Sequence, residues 1–299
     1  MPVARSSIAI PFAVACLGIA TFSCMDAVMK GLAIALGAYN AMLWRAIAGL
    51  VMGGALFLVR RERWPEAKRL GLHAQRSVAA GCSVLLFFWG LVRVPMAEGV
   101  ALTFLAPIIA TLLAALMLGE RVRRAAIFAS VIAFAGVMVI VAGRAHEQAG
   151  PAALHGALAI ILASLFYGYN LVLLRRSALV AGPVEITFFT NLVFVGLYGL
   201  GAPLLAVLPA PGHIPAILLA AALAIASSLM LSWAYARAEA QILASVEYTA
   251  LLWSAILGAL VFGEVVMPPT LIGAGMIIAG CLIAARRNPV PAVQTEAAL

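Results

Sequence analysis

The chain has 299 residues, of which 65% are hydrophobic and only 10% charged, and its mean hydropathy is +1.12. Soluble domains carry about 25% charged residues, so this composition excludes a soluble globular protein and predicts one that lipid surrounds. The net charge of +8 is spread in short basic clusters between apolar runs, which is typical of a membrane protein and argues against nucleic-acid binding.

Ten apolar runs follow one another along the chain, each close to the roughly 20 residues that a spanning helix needs. The first run is longer than the apolar core of a cleaved signal, so it is predicted to be a spanning helix. No segment between the runs is long enough for a soluble domain, and residues 289–299 are predicted to form a disordered cytoplasmic tail. The predicted spans are 8–29, 37–59, 74–93, 96–118, 124–143, 152–174, 184–207, 213–235, 241–263 and 269–286.

The distribution of Lys and Arg predicts the orientation of these spans. With both termini in the cytoplasm, fifteen Lys and Arg residues fall on the cytoplasmic side, three fall on the opposite side, and Arg45 lies within a span. Cytoplasmic loops of membrane proteins carry such an excess of positive charge. The sequence therefore predicts a multi-pass membrane protein with both termini inside.

Cysteine and histidine usage gives no support to metal or redox chemistry. The cysteines lie inside apolar runs without a CxxC pair, and the histidines are predicted to lie in or near loops, so neither a disulfide framework nor a metal or cofactor site is indicated. No GxxxxGK[ST] phosphate loop is present, which argues against ATP-driven transport, and no Ser/His constellation favours an enzyme. The residues concerned are Cys16, Cys24, Cys82, Cys281, His73, His146, His155 and His213.

A shift of 144 residues superposes several uncommon residues, which indicates an internal duplication. Because each copy holds five spans, the second copy is predicted to be inverted in the membrane, with Glu120 inside and Glu264 outside. The predicted fold class is therefore all-α, with ten transmembrane helices in two inverted repeats, residues 1–149 and 150–288. The matching pairs are Phe22/Phe166, Asp26/Asn170, Trp89/Trp233, Arg93/Arg237, Gly119-Glu120/Gly263-Glu264 and Gly136/Gly280.

Inverted repeats are typical of secondary transporters, whose substrate site lies near the membrane midplane between the two halves. The segment VPMAEGVALTFLAPIIATLLAALMLGERV, followed by IAFAGVMVIVAG, resembles the EamA-type carriers of the drug/metabolite transporter superfamily. Its second copy, SVEYTALLWSAILGALVFGE followed by LIGAGMIIAGCLIAA, is similar but has Leu251 where the first has Pro107.

Within that family the chain is similar to bacterial exporters of aromatic amino acids, which also handle flat cations such as methyl viologen. The resemblance implies export across the bacterial inner membrane. It also implies a central cavity lined by spans 1, 3, 4, 6, 8 and 9, with spans 5 and 10 at the periphery.

Aromatic side chains in those spans are candidates for contact with a flat or aromatic substrate, through ring stacking or attraction of a cation. The alternative for each is packing or anchoring at the membrane interface. The repeat places Phe104 and Tyr248 at equivalent positions, so symmetry is expected to bring them to opposite sides of one cavity. The candidates are Phe104, Tyr167, Tyr248, Trp89 and Trp233.

Polar residues inside spans are costly and usually face a cavity or a partner. Arg45 could bind a substrate carboxylate in a bidentate manner, or form a structural pair with Asp26 or Glu98. Asp26 could receive an ammonium group or a proton, or pair with Lys30 one turn away. Asn170 occupies the position of Asp26 in the second copy and is the third polar candidate.

Two further residues are candidates for gating or coupling. Glu247 could be a gate or a proton acceptor, or it could pair with Arg237. Pro107 interrupts the hydrogen-bond ladder of span 4, which would permit bending during transport or produce a static kink. Gly49 and Gly53, spaced four residues apart on span 2, are predicted to allow close helix packing.

These observations predict a carrier that exports small metabolites, most simply aromatic or other apolar amino acids, by alternating access. Two alternatives stay open: a carrier for another solute, such as a nucleotide sugar or phosphorylated metabolite, and a passive facilitator or channel. The predicted partners are a small-molecule substrate (an amino acid or flat organic cation) and membrane lipid. No cofactor or nucleic acid is expected, and a monomer would suffice.

Overall fold

The computed structural model describes residues 9–62, 64–118, 124–146, 150–178, 180–235, 246 and 248–287. Within these ranges the ordered backbone is helical, which confirms the predicted all-α class. The helices are α1 (Ala9–Leu36), α2 (Ala38–Val59), α3 (Ala67–Leu91), α4 (Met96–Thr103), α5 (Ala106–Leu118), α6 (Arg124–His146), α7 (Gly150–Ala178), α8 (Pro183–Gly199), α9 (Ala202–Leu205), α10 (Ile214–Tyr235), α11 (Thr249–Phe262) and α12 (Pro268–Arg287), with a 3-10 turn at Pro211–His213.

All ten predicted spans contain apolar helix. Five helices, α1, α2, α3, α7 and α10, are long and apolar enough to cross a membrane by length and composition. The described parts of the other five spans hold shorter apolar helical stretches, at Met96–Ala110, Val131–Gly143, Pro183–Gly199, Thr249–Phe262 and Pro268–Gly280. The predicted fold class, a polytopic membrane protein with two five-span repeats, is therefore confirmed.

The third and seventh predicted spans have different bounds in the structure. The helix of the third span, α3, begins at Ala67, seven residues before the predicted start. Its first two turns carry polar side chains that lower the local hydropathy, so the hydropathy pattern places the start too late. His73 consequently lies inside α3, completely buried, and the prediction that every histidine lies in or near a loop was wrong for it. The helix of the seventh span, α8, ends at Gly199 rather than at 207, because Gly201 and Pro203 interrupt the apolar run.

Helix packing has the symmetry that a duplication requires. A shift of 144 residues relates α1 to α7, α2 to α8, α3 to α10, the α4–α5 segment to α11, and α6 to α12. The contact of α1 with α10 is mirrored by that of α7 with α3, and the contact of α2 with α10 by that of α8 with α3. The pairs α2–α8, α4–α11 and α6–α12 are each formed by a helix and its own counterpart.

The α6–α12 pair lies at the edge of the bundle, as the family resemblance implies for spans 5 and 10. Its outer surface is apolar and exposed, with Phe128, Phe134 and Met138 on α6 facing away from the other helices. At the contact, a Cβ on Gly136 would lie 2.6 Å from the Gly273 carbonyl oxygen, and a Cβ on Gly273 would lie 2.5 Å from that of Gly136. The two backbones therefore touch.

Replacing Gly273 with valine is expected to push α6 and α12 apart. Overfilling a tightly packed contact costs about 1–3 kcal/mol, so the melting temperature of the purified protein in detergent should fall by several degrees. Gly275→Val is the matched control, because no atom lies within 4 Å of a Cβ at Gly275 on the same helix. Equal melting temperatures for the two variants would contradict this packing.

Candidate functional site

The fourth span is broken near its middle. Helix α4 ends at Thr103 and α5 begins at Ala106, with Phe104 and Leu105 in a turn between them. Pro107 has no N–H, so it cannot donate to the Thr103 carbonyl four residues earlier. The backbone instead makes two hydrogen bonds that span three residues rather than four, from Phe104 N to the Ala101 carbonyl and from Leu105 N to the Leu102 carbonyl. Pro107 thus interrupts the helix as predicted.

The ninth span has a turn at the equivalent position without a proline. Tyr248 lies in a turn that precedes α11, and Leu251 stands where the first copy has Pro107. The Thr249 hydroxyl donates to the Val246 carbonyl at 2.6 Å, which takes up an acceptor that helix backbone would otherwise use. Discontinuous helices at symmetric positions are a feature of transporter midplane sites.

Phe104 and Tyr248 meet where these two turns face each other. Their ring centroids are 5.5 Å apart and the rings are nearly perpendicular, a favourable edge-to-face arrangement. Phe104 is buried, and Tyr248 is half-buried. Since each residue touches its own counterpart in the other repeat, the pseudo-twofold axis passes close to this pair. The expectation of two rings across a cavity is thus replaced by direct contact between them.

Asp26 of α1, Arg45 of α2 and Tyr198 of α8 are buried polar side chains, and Arg45 is only 2% exposed. Tyr198 donates its hydroxyl to the Gly81 carbonyl at 2.9 Å. Helices α1 and α2 pack against each other, so Asp26 and Arg45 lie on neighbouring elements. Asp26 Oδ1 has no hydrogen-bond partner among the described residues.

Asn170 is completely buried on α7. Neither its amide nitrogen nor its amide oxygen has a hydrogen-bond partner in the described part of the protein. Buried amides are normally satisfied, so such a group requires an explanation. Its counterpart in the first repeat is Asp26, whose carboxylate also has a buried oxygen without a hydrogen bond. The two symmetric positions thus offer polar atoms that a ligand or water could satisfy.

The remaining aromatic candidates lie on α3, α7 and α10. Trp89 of α3 and Trp233 of α10 are exposed. The Arg93 guanidinium lies 3.5 Å from the centre of the Trp89 ring and donates to the Trp89 carbonyl, an arrangement typical of an interfacial anchor. Tyr167 is half-buried against a small cluster with Leu174 and Ile186.

Three other predicted features have different outcomes. Glu247 and Arg237 lie outside the described residues. Gly49 and Gly53 face α8, where a Cβ on Gly49 would lie 2.4 Å from the Asn191 side chain, which agrees with the predicted close packing. Among the described residues, no group of three His, Cys, Asp or Glu side chains is arranged to hold a metal ion.

Glu264 makes contacts that its position in the sequence does not predict. Gly263 adopts the left-handed conformation (φ 65°) and ends α11, and its N–H donates to the Ala259 carbonyl at 3.1 Å. The chain then turns back, so that Glu264 forms an ion pair with Lys30 of α1 and accepts a 2.7 Å hydrogen bond from Met96 N at the start of α4. The second Gly-Glu motif thus ties the two repeats together at one end of the bundle.

A cleft of about 530 Å³ lies between α1, α10 and α11 beside this ion pair. Its walls are mainly apolar and include Val28, Gly31, Ala216, Leu257 and Phe262. The Phe262 ring also lies 5.1 Å from Lys30 Nζ, which joins the cleft to the ion pair. Sites for small molecules commonly have this size and this apolar character. The three helices correspond to spans 1, 8 and 9 of the cavity that the family resemblance implies.

A duplicated bundle of apolar helices, two of them interrupted at symmetric positions, defines a polytopic membrane carrier. The chain belongs to the EamA-like transporter family, which it matches over residues 9–142 and again over 154–286. It is therefore a multi-pass secondary transporter that exports small solutes, in a family of transporters rather than of enzymes. Its bacterial relatives point to the cytoplasmic membrane.

Relatives of the chain include transporters with different substrates. An uncharacterized transporter of Helicobacter pylori (strain ATCC 700392 / 26695) is 27% identical over 246 residues, 79% of this chain and 80% of that protein. A pseudopaline exporter of Pseudomonas aeruginosa is 25% identical over 146 residues, 48% of this chain and 50% of the exporter. A riboflavin transporter of Brucella anthropi is 27% identical over 129 residues, 43% of this chain and 44% of that transporter.

A solved crystal structure of a protein shares the fold. It is 22% identical to this chain, and the superposition has a TM-score of 0.59 while covering 95% of this chain and 99% of the other. The ten-span architecture thus extends over the whole of the solved protein.

Proposed function

We propose that this transporter exports aromatic or other apolar amino acids, and flat organic cations, by alternating access. The proposal rests mainly on the Phe104–Tyr248 pair, because two rings at symmetric breaks of two helices can separate and admit a flat group between them. The apolar cleft between α1, α10 and α11 supports it, since its volume suits an amino-acid side chain.

Buried polar residues of α1, α2 and α7 are candidate partners for the charged groups of an amino acid. Arg45 could hold the carboxylate, and Asp26 and Asn170 could accept hydrogen bonds from the ammonium end through side-chain oxygens that have no hydrogen-bond partner within the described chain. A substrate that satisfied these buried atoms would recover the free energy that their burial costs.

A competition panel tests the substrate class. Purified protein in proteoliposomes should transport radiolabelled phenylalanine, and excess tyrosine, tryptophan, leucine or methyl viologen should compete. Glutamate, glucose 6-phosphate and a nucleotide sugar should not compete, because the mainly apolar walls of the cleft do not compensate the extra negative charge of these solutes. Competition by the phosphorylated solutes alone would replace the amino-acid proposal with that alternative.

Replacing Phe104 or Tyr248 with alanine is expected to lower phenylalanine transport by about fivefold, since an aromatic contact contributes on the order of 1 kcal/mol beyond its buried area. Phe128→Ala is the matched control, because that ring is exposed on α6 at the edge of the bundle. Initial rates over a range of phenylalanine concentrations give the comparison. If Phe104→Ala and Tyr248→Ala were as active as the control, the pair would have a packing role only.

The proposed orientation puts the Glu264 end of the bundle in the periplasm and the opposite end, with His73, in the cytoplasm. The excess of Lys and Arg around α3 and the α2–α3 loop supports it. In a cysteine-free background, Val265→Cys should react with a membrane-impermeant thiol reagent from outside, and Glu62→Cys only after the membrane is opened. Both positions are exposed. Labelling of both from the same side would contradict the orientation.

A further inference from the structure

A cluster of ionisable side chains joins the two repeats at the end of the bundle opposite Glu264. His73 of α3 and Glu185 of α8 are both buried, and Nε2 of the imidazole lies 3.0 Å from Oε1 of the carboxylate. Arg69 approaches the other carboxylate oxygen at 3.7 Å and donates to the Val180 carbonyl at 3.1 Å. The sequence predictions had placed His73 near a loop and had assigned Glu185 no role.

A second basic side chain completes the cluster. Arg76, one turn further along α3, is completely buried and donates to the Thr190 hydroxyl of α8 and, at 3.2 Å, to the Ser77 hydroxyl. The cluster thus consists of one carboxylate, one imidazole and two guanidinium groups at an interface between the repeats.

The internal symmetry shows that the fold does not need these polar groups. The interface of α3 with α8 is repeated at the other end of the bundle as the interface of α10 with α2. There, the counterparts of the buried members of the cluster are apolar and belong to one buried hydrophobic cluster, while the counterpart of the part-exposed Arg69 is His213. The counterparts of His73, Arg76, Ser77, Glu185 and Thr190 are Ile217, Ala220, Ala221, Ala41 and Ala46, respectively.

Apolar replacement of a buried ionic group is often neutral or stabilising, so packing alone does not explain the polar version. The same helix interface contains alanine and isoleucine side chains at one end of the bundle and titratable side chains at the other. A function confined to one side of the membrane accounts for this difference.

The His73 imidazole can take up one proton in this setting. Its Nε2 faces the Glu185 carboxylate and carries hydrogen in the neutral ring, which leaves a lone pair on Nδ1. Nδ1 is buried and has no hydrogen-bond partner in the described residues. A proton on Nδ1 converts the ring to an imidazolium beside the carboxylate, and its release restores the neutral ring. Only this N–H bond forms and breaks.

The groups that face His73 come from every element around it. Glu185 of α8 faces its Nε2, Arg69 of α3 approaches the same carboxylate, and Arg76 lies one turn further along α3. The Phe189 ring of α8 stacks on the imidazole at 5.1 Å. On the side of α7, Tyr169 accepts a 2.6 Å hydrogen bond from Gln75, and on the side of α2 the neighbouring side chain is Phe57, which contacts Phe189.

We propose that His73 and Glu185 form the proton site that couples export to the proton gradient, an inference that rests on the proposed transport function. The charge of His73 alters the attraction between α3 of the first repeat and α8 of the second. A proton that binds when the site is reached from the periplasmic side, and leaves toward the cytoplasm past Arg69, would therefore bias the movement of one repeat against the other.

The experiment compares two assays on wild-type protein and His73→Gln in proteoliposomes. Counterflow of radiolabelled phenylalanine measures exchange without net proton movement, and accumulation driven by an acidic lumen measures coupling. His73→Gln is expected to keep counterflow within about twofold of wild type and to lose accumulation above equilibrium. His155→Gln, an exposed histidine on α7, is the control and should behave as wild type in both assays.

Each other outcome overturns a specific part of the proposal. Accumulation by His73→Gln equal to wild type would exclude His73 as the coupling group. Loss of counterflow in a His73→Gln protein with an unchanged melting temperature would assign His73 to substrate binding instead. Wild-type counterflow without any response to the pH gradient would exclude proton coupling while leaving the proposed function intact.

A second measurement does not depend on the substrate. On titration from pH 9 to pH 5, the purified wild-type protein in detergent should take up about one proton more than His73→Gln. Equal proton uptake would overturn the proposal even if phenylalanine is not the substrate. Absence of wild-type counterflow together with the extra proton would instead contradict the proposed substrate and leave the proton site standing.

Discussion

Replacing Arg45 with methionine is expected to be the most damaging single change in the described bundle. It removes a guanidinium that is only 2% exposed inside the bundle. Removing one member of a buried polar network costs about 3–5 kcal/mol, because its partners stay buried without the interaction. The melting temperature in detergent should fall by roughly 10 °C, with a matching loss of folded protein at expression temperature.

The double variant Arg45→Met with Asp26→Asn should recover most of this loss, since neither charge then remains buried. Circular dichroism and size-exclusion profiles would measure the recovery, and transport would separate fold from function. A folded double variant that does not transport phenylalanine would support the proposed substrate contact of these residues. If Arg45→Met alone were as stable as wild type, the buried guanidinium would make no contribution to the stability of the bundle.

The second large effect concerns Glu264. Glu264→Gln is expected to destabilise the protein by about 2–4 kcal/mol, because Lys30 is only 4% exposed and would keep its charge without the carboxylate. The weaker acceptor would also loosen the start of α4, where Met96 N donates to Glu264. Thermal unfolding in detergent should show the loss, together with slower phenylalanine exchange.

The control is again a double variant. Lys30→Met with Glu264→Gln removes both charges and should be more stable than Glu264→Gln alone, so the double-mutant cycle should give a coupling of at least about 1 kcal/mol. Additive effects of the two changes would show that the ion pair contributes nothing to joining the repeats. Val265→Gln, an exposed neighbour, serves as the position control.

The sequence predicted the architecture well because duplication leaves several signals at one spacing. Trp89/Trp233 and the two Gly-Glu motifs share a shift of 144 residues, and helix packing follows the same symmetry. The equivalence of Phe104 and Tyr248 was also accessible, since the same shift of 144 residues relates them. A shift alone could not show that the rings touch, because the distance between α4 and α11 depends on packing.

Contacts between distant segments were not predictable from the sequence. Glu264 follows an apolar run and is predicted only to lie outside, yet the left-handed Gly263 turns it back toward Lys30, 234 residues earlier in the chain. His73 lies in two polar turns that lowered the hydropathy of the third span, and its partner Glu185 opens a helix 112 residues later. Sequence patterns of period 3.6 give the face of a helix but not its partner.

Counterflow of phenylalanine is the measurement that tests the central claim most directly. Proteoliposomes containing the wild-type protein are loaded with unlabelled phenylalanine and diluted into a trace of the labelled amino acid. A carrier that alternates between two faces will transiently concentrate the label inside. We expect such an overshoot with phenylalanine, tyrosine and tryptophan. Simple equilibration, or no movement of any aromatic or branched amino acid above protein-free liposomes, would contradict it.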